Sequence, residues 1–95
     1  MRLSKEQIAF FKEFIPKYSF GGEPFLFGSR TDDNQKGGDI DIAILTEAKP
    51  HHSTLFEFKN LFYKKFGNQK LDIKCFNPSE ISSFKNYIFS YAIKL

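Results

Sequence analysis

The segment 39–45 (DIDIAIL) constrains the fold more than any other part of the chain. Successive side chains of a β-strand point to opposite faces, so Asp39 and Asp41 share one face, roughly 7 Å apart along the strand. The isoleucines between and after them point the other way. The pattern therefore predicts a strand with one face buried in a core and two carboxylates side by side on the other.

The rest of the chain predicts further elements around this strand, in the order α-β-β-α-β-α. Ser4 and Gln7 form a capping-box pattern at the start of a helix that runs to about residues 14–17 and is stopped by Pro16 and Gly21-Gly22. The predicted strands are 24–27, 39–45 and 71–76. A loop over 47–53 precedes a second helix, which covers 54–66 and stops at Gly67-Asn68.

The last helix begins at Asn77-Pro78-Ser79-Glu80 and buries Ile81, Phe84, Ile88 and Tyr91. We expect an α/β (α+β) fold with a small mixed three- to four-stranded sheet and helices packed mainly on one face.

Length and composition limit the classes of protein to consider. Ninety-five residues with 41% hydrophobic content suit one domain, 1–95, with a core built mainly from its 13 Phe. The net charge is only +3 and no basic run exceeds Lys64-Lys65, so a nucleic-acid partner is not expected. A single cysteine, Cys75, no signal-peptide pattern and no apolar stretch of membrane-spanning length together favour a cytoplasmic protein without a membrane partner.

A third aspartate, Asp72, lies in the middle of the strand predicted at 71–76. Aspartate is depleted in strands, so this position needs a reason. If that strand lies beside the strand of Asp39 and Asp41, three carboxylates converge, and a divalent cation with oxygen ligands is the natural compensation. Taken singly, an Asp-x-Asp pair is more often the solvated face of a strand, and a lone strand aspartate is more often an edge charge.

The first strand ends at a turn with the composition of a phosphate-binding site. Gly28 lets the backbone approach a phosphate without a Cβ in the way, Ser29 adds a hydroxyl, and Arg30 suits bidentate phosphate binding. Lys36, followed by glycines, is placed to fold over a triphosphate. These four residues are the predicted nucleotide-binding residues; the alternatives are an ordinary turn, a surface arginine and a plain flexible loop.

The combination of these segments is more specific than its parts. A strand, a Gly-Ser turn, a polar loop, an Asp-x-Asp strand and an Asp strand in this order resemble the nucleotidyltransferase superfamily of the DNA polymerase β type. The chain is similar in particular to the minimal nucleotidyltransferases (MNT). The resemblance rests on residues 25–30 (FLFGSR), 38–44 (GDIDIAI) and 71–73 (LDI). Many members of the family have serine before the first aspartate, where this chain has Gly38.

The resemblance implies a nucleotidyltransferase fold and a role for each matching residue. Asp39 and Asp41 would hold two Mg²⁺ ions that bridge the triphosphate of a bound nucleotide. Asp72 would bind the second metal and help deprotonate the attacking hydroxyl. Gly28 and Ser29 would hold the outer phosphates. A two-metal site of this kind stabilises both the entering and the leaving oxygen during phosphoryl transfer.

The function implied is a Mg²⁺-dependent nucleotidyltransferase of the EC 2.7.7 type, which moves AMP from ATP to a hydroxyl on a partner protein. Proteins with this resemblance commonly form the antitoxin half of a toxin–antitoxin pair with a small helical HEPN-type protein. The assembly expected for this chain is a homodimer or a hetero-oligomer. The alternative is a non-catalytic subunit of the same fold that binds and masks its partner. An RNA-binding domain is a weaker third hypothesis, because a basic cluster is missing.

Overall fold

A four-stranded sheet forms the centre of the chain in a computed structural model, which describes residues 1–67 and 69–95. The strands are β1 (Glu23–Phe27), β2 (Ile40–Leu45), β3 (Leu71–Phe76) and β4 (Ile93–Lys94). Their order across the sheet is β3-β2-β1-β4. β1 pairs antiparallel with both β2 and β4, whereas β2 pairs parallel with β3. The predicted α/β class and the mixed sheet are confirmed.

The first helix, α1 (Lys5–Tyr18), begins where the sequence predicts and ends later. The Ser4 hydroxyl accepts a hydrogen bond from the Gln7 N–H, and the Gln7 side chain accepts one from the Ser4 N–H, both at 3.0 Å. The prediction that Pro16 stops the helix is wrong. Proline lies there in the last turn, where it removes only one backbone hydrogen bond near the helix end, so the helix continues for two more residues.

The second helix, α2 (His52–Phe66), begins two residues before the prediction. The ring of His51 accepts a hydrogen bond from the Ser53 N–H (3.4 Å) and caps the helix. Most helices have Ser, Thr, Asp or Asn at this position. The helix ends at Gly67, which has a positive φ of 83° and donates to the Tyr63 carbonyl. Asn68, the other residue of the predicted stop, lies outside the described residues.

The third helix, α3 (Ser83–Phe89), starts later than predicted. Asn77 does form a turn, in which its N–H donates to Glu80 Oε1 (3.1 Å), but this turn does not continue as a helix. Lys85 Nζ donates to the Glu80 carbonyl at 2.9 Å. The carbonyl thus has a side-chain partner in place of the backbone N–H that a continuing helix would provide. Ser82 is the cap instead, and its hydroxyl accepts from the Lys85 N–H at 3.0 Å.

The predicted buried stripe of the last helix is correct at only one position. Ile88 is 1% exposed, whereas Ile81 is 94%, Phe84 53% and Tyr91 36% exposed. Because the helix begins at residue 83, Ile81 lies before it and Tyr91 after it. The two-residue strand β4 was not predicted, since so short a segment has no alternation to recognise.

The two faces of the sheet have separate cores. α1 and α2 cover one face, and their buried side chains pack on those of the strands: Phe10, Phe11, Ile15, Phe58, Phe62, Leu26, Ile40, Ile42, Ile44 and Leu71. α3 covers part of the other face with a smaller cluster: Phe27, Ala43, Phe76 and Ile88. Helices thus lie mainly on one face, as predicted. None of the helices in the described parts of the chain has both the length and the apolar character that a membrane crossing requires.

Candidate active site

Two of the three predicted carboxylates are neighbours across the sheet. β2 and β3 run parallel with Asp41 and Asp72 as paired residues. Side chains at paired positions of adjacent strands lie on the same face, with backbones about 5 Å apart. Ile40 and Ile42 point into the core beneath α1 and α2, so the two aspartates point to the face that α3 only partly covers. The predicted proximity of the two strands is confirmed.

Asp39 lies one residue before β2, at the same end of the sheet. Its carboxylate is 3.6 Å from the Nζ of Lys70, the residue that precedes β3. The Asp39 side chain is 49% exposed and that of Lys70 is 69% exposed. Asp39 is therefore the outermost of the three carboxylates, and it has a surface lysine as its partner.

The structure does not assemble three ligands around one point. Within residues 1–67 and 69–95, no three Asp, Glu, His or Cys side chains are grouped closely enough to hold a metal ion. The pair of Asp41 and Asp72 is the part of the predicted cation site that the backbone holds together. Convergence of Asp39 on this pair stays a prediction.

The electrostatics of Asp41 indicate unneutralised negative charge. Burial raises the pKa of the Asp41 carboxyl above its usual value, and repulsion by Asp72 and then by Asp39 raises that pKa further. Lys70 and Lys74 oppose the shift without cancelling it. Ionised carboxylates in this arrangement favour a cation with hard oxygen ligands, and Mg²⁺ is such a cation.

The Gly28 turn lies directly against Asp41, one member of this pair. β1 ends at Phe27, which pairs with Asp41 on β2, and a short 3₁₀ turn over Gly28–Thr31 follows. Gly28 has a φ of 76°, and a Cβ on this residue would overlap the Asp41 carboxylate. Only glycine lets the backbone take this conformation and this approach at the same position.

Gly38 permits the same kind of close approach to Ser29. It has a φ of 91°, and a Cβ on it would lie 2.5 Å from the Ser29 Oγ. Both the positive φ and the closeness of the Ser29 hydroxyl therefore suit glycine at position 38, where many nucleotidyltransferases have serine. The predicted phosphate-binding serine thus lies close to the start of the Asp39–Asp41 segment.

Arg30 and an unpredicted residue, Arg2, hold the loop between the turn and β2. The Arg30 guanidinium donates to the carbonyl oxygens of Gly38 (3.1 Å) and Arg2 (2.9 Å). The Arg2 guanidinium donates to the carbonyls of Ser29 (3.1 Å) and Gly37 (2.7 Å). Both arginines of the chain are therefore bound to the backbone of this loop. The sequence signal for Arg2 was its rarity alone, since its partners are about thirty residues away.

Lys36 lies in the same loop and is exposed. Gly37, which follows it, has a φ of 64°, and a Cβ there would meet nothing within 4 Å. The side of Gly37 on which a Cβ would stand therefore faces open space. The predicted contact of Lys36 with a triphosphate stays a prediction.

Tyr91 belongs to the site, although its position in the sequence predicted a packing role. The Gly28 N–H donates a hydrogen bond to the Tyr91 hydroxyl at 3.1 Å. The pairing of β4 with Phe25 and Leu26 of β1 holds the C-terminal segment beside the turn. The Tyr91 hydroxyl thus accepts the hydrogen bond of the Gly28 N–H, the group that the family resemblance assigns to phosphate binding.

Comparison with protein families decides the identity of the fold. The family described as "Polymerase beta, Nucleotidyltransferase" matches residues 13–95. The chain belongs to this nucleotidyltransferase family. The match includes every predicted site residue and leaves Arg2 outside. Among curated proteins, none matches the chain. Members of the polymerase beta family are transferases of nucleotidyl groups and typically use a divalent metal, which agrees with the paired aspartates beside the glycine turn.

Proposed function

We propose that this chain is a Mg²⁺-dependent nucleotidyltransferase that moves AMP from ATP to a hydroxyl on a partner protein. The observation that carries the proposal is the register of Asp41 with Asp72, directly beside Gly28. Carboxylate oxygens next to a backbone turn without a Cβ are the groups that a metal-bound triphosphate requires.

The donor set fits Mg²⁺. Asp41 and Asp72, with Asp39 joining them from the end of β2, would hold two ions through hard carboxylate oxygens. When bound, the metal supplies neutralisation of the charge on the entering and leaving oxygens. Burial raises the pKa of Asp41 most, and repulsion by Asp72 and Asp39 adds to it; such ions would relieve this repulsion.

The protein's own groups then position the nucleotide. The Gly28 N–H and the Ser29 hydroxyl bind the outer phosphates once Tyr91 has released the Gly28 N–H. Arg30, through its bond to the Gly38 carbonyl, keeps Gly38 in place, and Arg2, through its bond to the Ser29 carbonyl, keeps Ser29 in place. Lys36 approaches the triphosphate from the exposed loop.

The reaction forms one bond and breaks one. The acceptor hydroxyl oxygen attacks the α-phosphorus of ATP, and the bond from that phosphorus to the pyrophosphate oxygen breaks. A carboxylate oxygen of Asp72 takes the proton of the attacking hydroxyl. The products are the adenylylated acceptor and pyrophosphate, so positioning and charge neutralisation account for the catalysis.

The proposed acceptor is a tyrosine hydroxyl of a small helical HEPN-type protein, with this chain as the antitoxin half of the pair. The family resemblance suggests the partner, and the open site is compatible with it. Asp39 and Lys70 are about half or more exposed, and Asp41 and Asp72 are only partly buried, so the carboxylates are accessible to a residue on another protein.

Transfer of the α-phosphate label tests the proposal. The chain is incubated with its captured partner, Mg²⁺ and ATP labelled at either the α- or the γ-phosphate. We expect only the α-label to enter the partner, with a mass gain of one adenylate, and no transfer by Asp41→Asn or Asp72→Asn. Asp33→Asn, an exposed loop change that also removes one carboxylate, should keep the activity. A stable complex with no label transferred by the wild type would instead favour the non-catalytic masking subunit.

A further inference from the structure

β3 is an edge strand with one side unpaired by the sheet. The Ile40 N–H donates to the Lys70 carbonyl and the Thr46 N–H donates to the Phe76 carbonyl, both at 2.9 Å. These two bonds bracket the parallel ladder between β2 and β3. Because backbone groups of successive strand residues alternate in direction, the even-numbered residues of β3 face β2.

The odd-numbered residues of β3 direct their N–H and C=O groups to the open side. The Leu71 N–H there donates to the Tyr63 hydroxyl (3.3 Å) at the end of α2. Ile73 and Cys75 follow along the same edge. Their backbone groups form a short template to which another extended segment can add by strand pairing.

A cavity of about 550 Å³ lies along this part of the edge, between β3 and the first turns of α2. Ile73 and Cys75 form one side of it, and Leu55 and Phe56 form the other. Phe56 is 65% exposed, so its ring is accessible to a segment bound in the cavity. The cavity thus offers an apolar surface directly beside the open backbone groups.

The charges around the cavity all have one sign. Lys49, Lys59 and Lys74 line it, and no acidic residue is among its described lining residues. Lys49 reaches outward to Glu80 at 3.1 Å, so one lysine is already partly neutralised. A second copy of this chain paired through the same edge would bring lysines against lysines. An acidic segment would complement them.

We propose that the open edge of β3 is a docking site for an extended acidic segment of a partner protein. The segment adds one strand to the sheet, its apolar side chains fill the cavity, and its carboxylates meet the lysines. Asp72 belongs to the same strand, on the opposite face from the cavity, so a segment docked here lies next to the carboxylate pair. The docking itself does not require transferase activity.

The test uses a capped peptide of alternating glutamate and valine with one central phenylalanine. We expect it to bind the full chain, to bind more weakly as salt is added, and to slow hydrogen exchange at the Ile73 and Cys75 amides. The same peptide N-methylated on its pairing edge should lose roughly tenfold in affinity. Lys59→Glu should weaken binding roughly threefold to tenfold at low salt, and Lys12→Glu, on the exposed side of α1, should leave it unchanged.

Three results would overturn the proposal. One is absence of binding at millimolar peptide, and another is equal binding of the matching lysine–valine peptide. The third is hydrogen exchange at the Ile73 and Cys75 amides that slows as the protein concentration rises but does not respond to the peptide. That result would identify a second copy of the chain as the occupant of the edge. The peptide controls need no folded variant, so they decide the matter even if Lys59→Glu fails to fold.

Discussion

Replacing Asp41 by asparagine should stabilise the protein in the absence of divalent cations. The pKa of Asp41 is raised in the folded chain from its ordinary value of 3.8, mainly by burial and then by Asp72 and Asp39. The folded state therefore binds the proton more tightly than the unfolded state does. The stability from this group is complete below about pH 3.8 and is lost as the pH rises through the raised pKa. At neutral pH the ionised carboxylate is a net cost, which Asp41→Asn removes.

The size of the repulsive part of the effect follows from the spacing of the strands. Two like charges about 5 Å apart repel by about 0.8 kcal/mol in water and by about 3 kcal/mol at an effective dielectric constant of 20. Asp41 and Asp72 are only partly buried, and Lys70 and Lys74 oppose the repulsion, so the repulsion energy lies near its value in water. We expect a gain of about 1 kcal/mol, which raises the Tm of a domain this size by roughly 4–8 °C.

The assay is thermal and denaturant unfolding in EDTA at neutral pH, as a double-mutant cycle of Asp41→Asn and Asp72→Asn. Each single change relieves the same repulsion, so the double variant should gain little beyond one single variant. Glu57→Gln, on the exposed side of α2, removes an equal charge and should change the unfolding free energy little. The reasoning is refuted if Asp41→Asn destabilises the chain or if the two single effects simply add.

Three further changes test the surroundings of the pair. Gly28→Ala should lower the unfolding free energy by about 1–3 kcal/mol, because the new Cβ clashes with the Asp41 carboxylate and the backbone at positive φ becomes strained. Gly37→Ala should show the backbone strain alone, because a Cβ there meets nothing within 4 Å; equal losses in the two variants would contradict the contact of Gly28 with Asp41. Tyr91→Phe should remove about 1 kcal/mol and speed hydrogen exchange at the Gly28 amide, and Tyr87→Phe should leave that amide unchanged; an unaltered rate in both would refute the bond. Ser82→Ala should lower the unfolding free energy by about 1 kcal/mol in chemical denaturation, because the Ser82 hydroxyl caps α3. No loss would favour the helix start at Asn77 that the sequence predicts.

Elements fixed by local patterns were predictable from the sequence. The capping box of Ser4 and Gln7 and the alternation in 39–45 involve neighbours three or two residues apart, so the sequence displays them directly. The sequence showed that Asp39 and Asp41 would meet Asp72 only if their strands were neighbours. The parallel pairing and the register of Asp41 with Asp72 came from the structure, because a helix between two strands does not fix which residues pair. The glycine turn at residue 28 was predicted from its composition at the end of a strand, and its contact with Asp41 came from the structure.

Features that depend on distant or competing contacts were not predictable. Asn77 and Ser82 are both good caps, and the later start at Ser82 is accompanied by bonds of Lys85 to Ser82 and to the Glu80 carbonyl that the sequence does not display. Tyr91 meets Gly28 across sixty-three residues, and this contact depends on a two-residue strand that has no sequence pattern. Arg2 contacts loop carbonyls, which any sequence could provide.

Paramagnetic broadening by Mn²⁺ tests the central claim most directly, because carboxylate sites that hold Mg²⁺ also accept Mn²⁺. With substoichiometric Mn²⁺, we predict that the amide signals of Gly28, Asp41 and Asp72 broaden first, and that Asp41→Asn abolishes this effect. Broadening centred on another acidic segment, such as the loop at Asp33, or broadening at the pair that persists in Asp41→Asn would contradict a cation site between β2 and β3.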